Sequence, residues 1–77
     1  MVEEIEKLYR KYGQDIYRYL ISLSSDPSLS EDLLSETFLR AIGGIKGFKG
    51  DSSIKTWLFS IARHESYNYS RIIKRRI

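Results

Sequence analysis

The side chains best equipped for chemistry in this sequence are cationic and aromatic, and they cluster. Phe48 stands between Lys46 and Lys49, among Gly44, Gly47 and Gly50. Water disfavours an exposed aromatic ring, so a ring on a glycine-rich cationic segment needs burial or a partner. Two readings stay open. Phe48 folds back to cap a core, or the segment meets single-stranded nucleic acid, offering bare backbone amides and a stacking surface. Further along, Tyr67 is interleaved with Arg63, Arg71 and Lys74, which repeats the pairing of ring and cation.

Enzymatic chemistry is poorly supplied. His64 is the single histidine and cysteine is absent, so a transition-metal site has no second imidazole and no thiolate. The serines fall at helix caps and surfaces, with no base to activate one as a nucleophile. Glu31, Asp32 and Glu36 gather early in a helix, where the helix dipole favours negative charge without any metal. The expectation is a chain with no catalytic residue, no cofactor and no metal.

Charge is divided unevenly along the chain. Residues 1–36 hold eight acids and four bases, whereas residues 37–77 hold two acids and nine bases. The second half therefore suits a polyanion and the first half a different partner, although a solvated basic tail would show the same imbalance. The 77 residues make one small domain, 1–77, and the hydrophobic content of 42% is too rich for a disordered chain. No apolar run approaches the ~20 residues of a membrane span. The start, Met1-Val2-Glu3-Glu4, is acidic where a secretory leader is basic, so the expected location is cytoplasmic.

Three helices must position these groups. Ile5, Leu8, Tyr12, Ile16, Tyr19 and Leu23, flanked by Tyr9 and Leu20, form one stripe over about residues 3–24. Asp26 as N-cap and Pro27 in the first turn start a second helix, about 27–45, with Ser28 to Glu31 as a competing capping box. Its stripe is Leu29, Leu33 and Phe38 with Leu34, Ala41 and Ile45, and Gly43-Gly44 ends it before a basic loop. Asp51 or Ser52 caps a third helix, about 52–76, striped by Ile54, Trp57, Leu58, Ile61, Glu65 and Ile72. The fold class is all-α, a compact bundle of about three main helices.

On a helical wheel the third helix has two sides. Ile54, Ile61 and Ile72 mark one; Thr56, Arg63, Tyr67, Ser70 and Lys74 mark the other, with His64 and Arg71 on its flank. Trp57 belongs to the core, its indole edge available to a groove beside His64. Glu65 and Asn68 fall toward the apolar side, where each needs a hydrogen-bonding partner. These features also suit a helical protein-interaction module whose basic half docks on an acidic partner. A helix-turn-helix reader of duplex DNA is a third reading, disfavoured by a joint, Gly43 to Ser52, longer than the usual three or four residues.

Three segments, in order and spacing, carry a resemblance: Ser30-Glu31-Asp32-Leu33-Leu34-Ser35-Glu36-Thr37-Phe38-Leu39, Phe48-Lys49-Gly50-Asp51-Ser52-Ser53-Ile54-Lys55-Thr56-Trp57-Leu58, and Ile61-Ala62-Arg63-His64. From about Leu8 to Arg76 the chain resembles the conserved second region of the extracytoplasmic-function (ECF) group of bacterial sigma factors. The resemblance implies a transcription initiation domain. Its acidic second helix would dock on the clamp coiled coil of core RNA polymerase through Asp32, Ser35, Glu36 and Ile42. Its basic loop would capture a flipped base of the promoter minus-ten element on the non-template strand. Phe48, Lys49, Gly50 and Ser52 would line that pocket, while Lys55, Arg63, His64, Tyr67, Arg71 and Lys74 hold the neighbouring strand. An anti-sigma factor is an implied partner, and the domain is expected to be monomeric.

The chain departs from the family's habits at three of these places. Ser35 stands where many relatives carry glutamine, which shortens one polymerase contact. His64 replaces a common asparagine, which bears on base preference. Asn68 replaces a frequent aspartate, so an ion pair becomes a neutral hydrogen bond. The family's domain for the minus-thirty-five element does not follow Ile77, so the expectation is a domain excised from a longer protein.

Overall fold

A computed structural model describes residues 2–50 and 53–76, with side chains for 3–50 and 53–70. Three helices, α1 (Val2–Ser24), α2 (Pro27–Gly44) and α3 (Ile54–Arg76), pack on one another, and a single 3₁₀ turn at Ile45–Gly47 follows α2. No described helix is long and apolar enough to cross a membrane.

The joint between α1 and α2 is set by side-chain oxygens. Asp26 is extended, and its Oδ1 accepts from the Leu29 amide at 3.1 Å, while Pro27 occupies the first turn. Asp26 is thus the cap, and the competing start at Ser28 is not used. Ser25 turns the chain with φ of 57°, a left-handed conformation that costs a non-glycine residue about 1–2 kcal/mol. Ser24 holds the bend: its hydroxyl accepts from the Asp26 amide at 3.1 Å and pairs at 2.8 Å with the fully buried Ser30 hydroxyl.

At the other joint the helix begins later than expected. Ser53 caps α3, its Oγ accepting from the Thr56 amide at 3.1 Å and its carbonyl from the Trp57 amide at 3.0 Å. A β-hydroxyl one residue before Ile54 satisfies the orphan amides of the first turn, so α3 starts at Ile54 rather than 52. Asp51 and Ser52, the caps expected from sequence, lie outside the described residues.

The core is small. Ile5, Ile16 and Leu20 come from α1, Leu33, Leu34, Phe38 and Ala41 from α2, and Leu58 and Ala62 from α3. Leu20, expected on the flank of the α1 stripe, is fully buried, whereas Leu23 is half exposed at the end of the helix. A helix turning 100° per residue carries its stripe sideways over six turns, so the last contacts fall on Leu20. On α3 the buried line likewise runs through Leu58, Ala62 and Glu65, leaving Ile54, Trp57 and Ile61 half-buried on its edge. Ring pairs join the layers: Tyr9 meets Phe38 edge-on at 5.0 Å, tying α1 to α2, and Tyr19 meets Phe59 at 5.3 Å, tying α1 to α3.

Candidate nucleic-acid interface

Phe48 lies outside the core cluster. It is half-buried, and its ring lies tilted over the Trp57 indole, centroids 5.3 Å apart and planes 38° apart. The ring is shielded by one aromatic neighbour while the loop stays on the surface. Two glycines allow this. Gly44 lets the end of α2 approach the indole so closely that an added Cβ would stand 3.2 Å from Trp57 Cζ2. Gly50 has φ of 78°, which L-residues rarely adopt, and the backbone bends at that residue.

Trp57 also lines an open groove with Arg40, Gly44, Ile61, His64 and Glu65. The indole therefore carries Phe48 and borders a cleft beside His64, as its position on the wheel implies. Lys46, Lys49 and Gly50 are exposed around it.

The far side of α3 emerges where the wheel puts it. Thr56, Arg63, His64 and Tyr67 are exposed, Tyr67 by 62%. Arg63 has no acidic partner among the described residues. Asn68 Nδ2 lies 3.1 Å from His64 Nε2, so the amide donates and the ring nitrogen accepts. That neutral hydrogen bond orients the imidazole across one helical turn. Lys55 reaches over Phe59, its Nζ 5.9 Å from the ring centroid. Of the remaining candidates, Ser52 of the expected base pocket and the side chains of the strand-holding Arg71 and Lys74 lie outside the described residues.

Glu65, the polar residue on the apolar side of α3, is 8% exposed and receives Arg40 Nε from α2 at 3.0 Å. Arg40 was not singled out by the sequence reading. A buried acid on α3 demanded a cation from a neighbouring element, and Arg40 is the arginine on α2.

The polymerase-docking candidates expected from sequence share one side of α2. Asp32, Ser35 and Ile42 are exposed, Glu36 is half-buried, and 100° steps place all four within one exposed arc. Asp32 and Glu36 also line the groove between α2 and α3, with Asp26, Glu65 and Tyr69. In the middle of the arc stands Leu39, 61% exposed, which the sequence reading left out of the site. Its position beside Asp32, Glu36 and Ile42 on the wheel was the available signal.

Comparison with known proteins follows the same lines. Residues 8–76 match the family model of Sigma-70 region 2. The chain is 42% identical over 69 residues to the RNA polymerase sigma factor YlaC of Bacillus subtilis, an alignment covering 90% of this chain and 40% of that protein. It is 42% identical over 71 residues to the ECF RNA polymerase sigma factor SigX of the same organism, covering 92% and 37% of the two chains. Identity to the ECF RNA polymerase sigma factor SigC of Mycobacterium tuberculosis is 42% over 72 residues, covering 94% and 38%. The chain thus spans about two fifths of the length of these relatives. A match over nearly the whole chain, together with ECF relatives at this identity, assigns it plainly: the chain belongs to the Sigma-70 region 2 family, in its ECF group.

Proposed function

We propose that this chain is a transcription initiation domain that docks on core RNA polymerase with one side of α2 and holds the melted non-template strand of a promoter minus-ten element. Asp32, Ser35, Glu36 and Ile42 make the polymerase contact on the clamp coiled coil, and Leu39 joins them. Phe48, Lys49 and Gly50 approach a flipped base, and Lys55, Arg63, His64 and Tyr67 hold the strand beside it. Ser52, Arg71 and Lys74 join this set by family resemblance. The domain is a binding module rather than an enzyme, acts as a monomer in the cytoplasm, and is covered on its α2 side by an anti-sigma factor when silent.

One observation carries the base-holding part. A half-exposed Phe48 ring lies on Trp57 within a loop of lysines and glycines, beside a cleft bordered by His64. The energetics set its scope. Opening roughly ten base pairs at about 1.4 kcal/mol per step demands on the order of 14 kcal/mol. Stacking one base returns about 1–3 kcal/mol, and flipping it out costs a few. The domain therefore biases where opening starts and retains the opened strand, while polymerase supplies the rest.

The test is a short single strand enriched from a random DNA pool on this protein. It should compete better than its scrambled version and far better than its duplex, and Phe48→Ala should weaken it ~5- to 150-fold. Equal affinity for enriched and scrambled strands would overturn base capture.

A further inference from the structure

His64 is the single histidine of the chain, and nothing above uses its capacity to change charge. Its imidazole lines two grooves at once. One lies between α1 and α3 with Tyr19, Phe59, Arg63 and Tyr67. The other lies at Trp57 with Arg40, Gly44 and Glu65. The ring therefore stands on the ridge between the two. Asn68 Nδ2 reaches its Nε2 at 3.1 Å, and a ring nitrogen that accepts carries no proton, so this bond belongs to the neutral imidazole.

The groups sharing these grooves decide what a second proton on the ring would meet. α2 contributes Arg40, α1 contributes the Tyr19 phenol, and α3 contributes Arg63, Glu65 and Tyr67. Glu65 is the one carboxylate among the described residues of either lining, and Arg40 Nε already holds it at 3.0 Å. An imidazolium in the free protein thus shares its grooves with two guanidinium groups and no free acid. A bound strand reverses that balance. Its phosphates are charged acceptors, and a charge-assisted hydrogen bond is roughly twice as strong as a neutral one. The Asn68 amide serves both states, donating through Nδ2 to the neutral ring and, turned over, accepting through Oδ1 from the protonated one. We infer that His64 takes up a proton when the single strand binds and then holds a phosphate of that strand, with Asn68 as the residue that positions the ring in both states. The inference rests on the single-strand reading above and makes strand affinity depend on pH. The sign follows from linkage: a proton held more firmly in the complex than in the free protein strengthens binding as pH falls through the imidazole range, about pH 8 to 5. The added affinity is complete at the acid end of that range and absent at the alkaline end.

The experiment titrates a single strand enriched on the 77-residue chain across that pH range, with the unmodified protein, His64→Asn and Asn68→Asp. Thermal melts at each pH establish that every protein is folded, and His64 is exposed, so its replacement leaves the core alone. From the alkaline to the acid end the unmodified chain should gain ~5- to 10-fold more affinity than His64→Asn, which cannot titrate there. Its slope of log affinity against log salt should steepen by about 0.7 at the acid end, the mark of one added phosphate contact, and that of His64→Asn should not. Calorimetry in two buffers of different ionisation enthalpy should count protons taken up by the unmodified chain and none attributable to this position in His64→Asn. Asn68→Asp supplies an acid to the imidazolium before the strand arrives, so proton uptake on binding should fall. A pH profile shared by the unmodified chain and His64→Asn overturns the inference and leaves base capture standing. Proton uptake with an unchanged salt slope removes the phosphate contact and also overturns it. Failure to bind any strand at any pH overturns both readings.

Discussion

Arg40 on α2 brings its Nε to 3.0 Å from the Glu65 carboxylate on α3, and the two side chains differ sharply in exposure, 61% against 9%. The same nitrogen stands 3.6 Å from Glu36, one turn back on α2. A single guanidinium therefore neutralises an interior acid of α3 while lying next to an acid of the proposed polymerase face. The two surfaces are distinct, but they meet at this side chain.

Removing Arg40 should be costly for its size. Arg40→Ala leaves the Glu65 carboxylate shielded and unpaired, a loss of about 1–3 kcal/mol. A chain of this length has only about 4–12 kcal/mol of stability in total. Urea denaturation should show a lower midpoint with little change in slope. Adding Glu65→Met should recover most of the loss, because the unpaired acid and not the missing contact is the main penalty. A double variant as unstable as the single one would show that Arg40 acts through packing.

Gly44→Ala tests the platform under Phe48. The new Cβ would stand 3.2 Å from Trp57 Cζ2, so the indole has to shift, whereas a Cβ at Gly43 meets nothing within 4 Å. Alanine favours a helix over glycine by about 1 kcal/mol, which offsets the crowding, so stability should stay within about 1 kcal/mol of the parent. Trp57 is the only tryptophan, and its emission reports the shift directly. Gly44→Ala should change that emission and weaken single-strand binding several-fold; Gly43→Ala should do neither. Identical behaviour of the two variants would remove Gly44 as a positioning residue.

Much of this was legible in the sequence, and the reasons are local. Asp26-Pro27 states a helix start in two residues, because a carboxylate that accepts an amide and a ring that needs none solve the same problem. The two faces of α3 follow from its period, and Glu65 and Asn68 both found the partners their placement required. What was illegible depends on neighbours distant in sequence. Tyr19 reads as one more core position of α1 until Phe59 of α3 lies against it, and only packing turns the pair into a groove floor. The shift of the α3 cap to Ser53 was illegible because Asp51, Ser52 and Ser53 are all good caps by type, and only backbone geometry chooses among them.

The α2 face yields a separation of activities. Asp32→Arg reverses charge on an exposed residue remote from the loop, so it should abolish association with core polymerase and leave single-strand affinity nearly intact. Leu39→Ala should weaken polymerase association also, with little stability cost, since the residue is already 61% exposed. Pull-down with core enzyme beside a single-strand titration distinguishes the outcomes. Loss of both activities in a folded Asp32→Arg protein would contradict two surfaces.

Salt dependence separates cations that meet phosphate from those that serve the fold. Each phosphate neutralised on a single strand contributes about −0.7 to the slope of log affinity against log salt. Arg63, exposed and without an acidic partner among the described residues, should account for one such contact, so Arg63→Ala should flatten the slope by about 0.7. Lys55 is exposed as well but lies 5.9 Å from the Phe59 ring, so its charge is shared between the ring and the strand. Lys55→Ala should therefore flatten the slope less while lowering stability slightly. Arg40→Ala should leave the slope unchanged, because its guanidinium is committed to Glu65. Titrations across a salt series rank the three directly, and a flattened slope for Arg40→Ala in a protein shown to be folded would move Arg40 to the DNA side of the molecule.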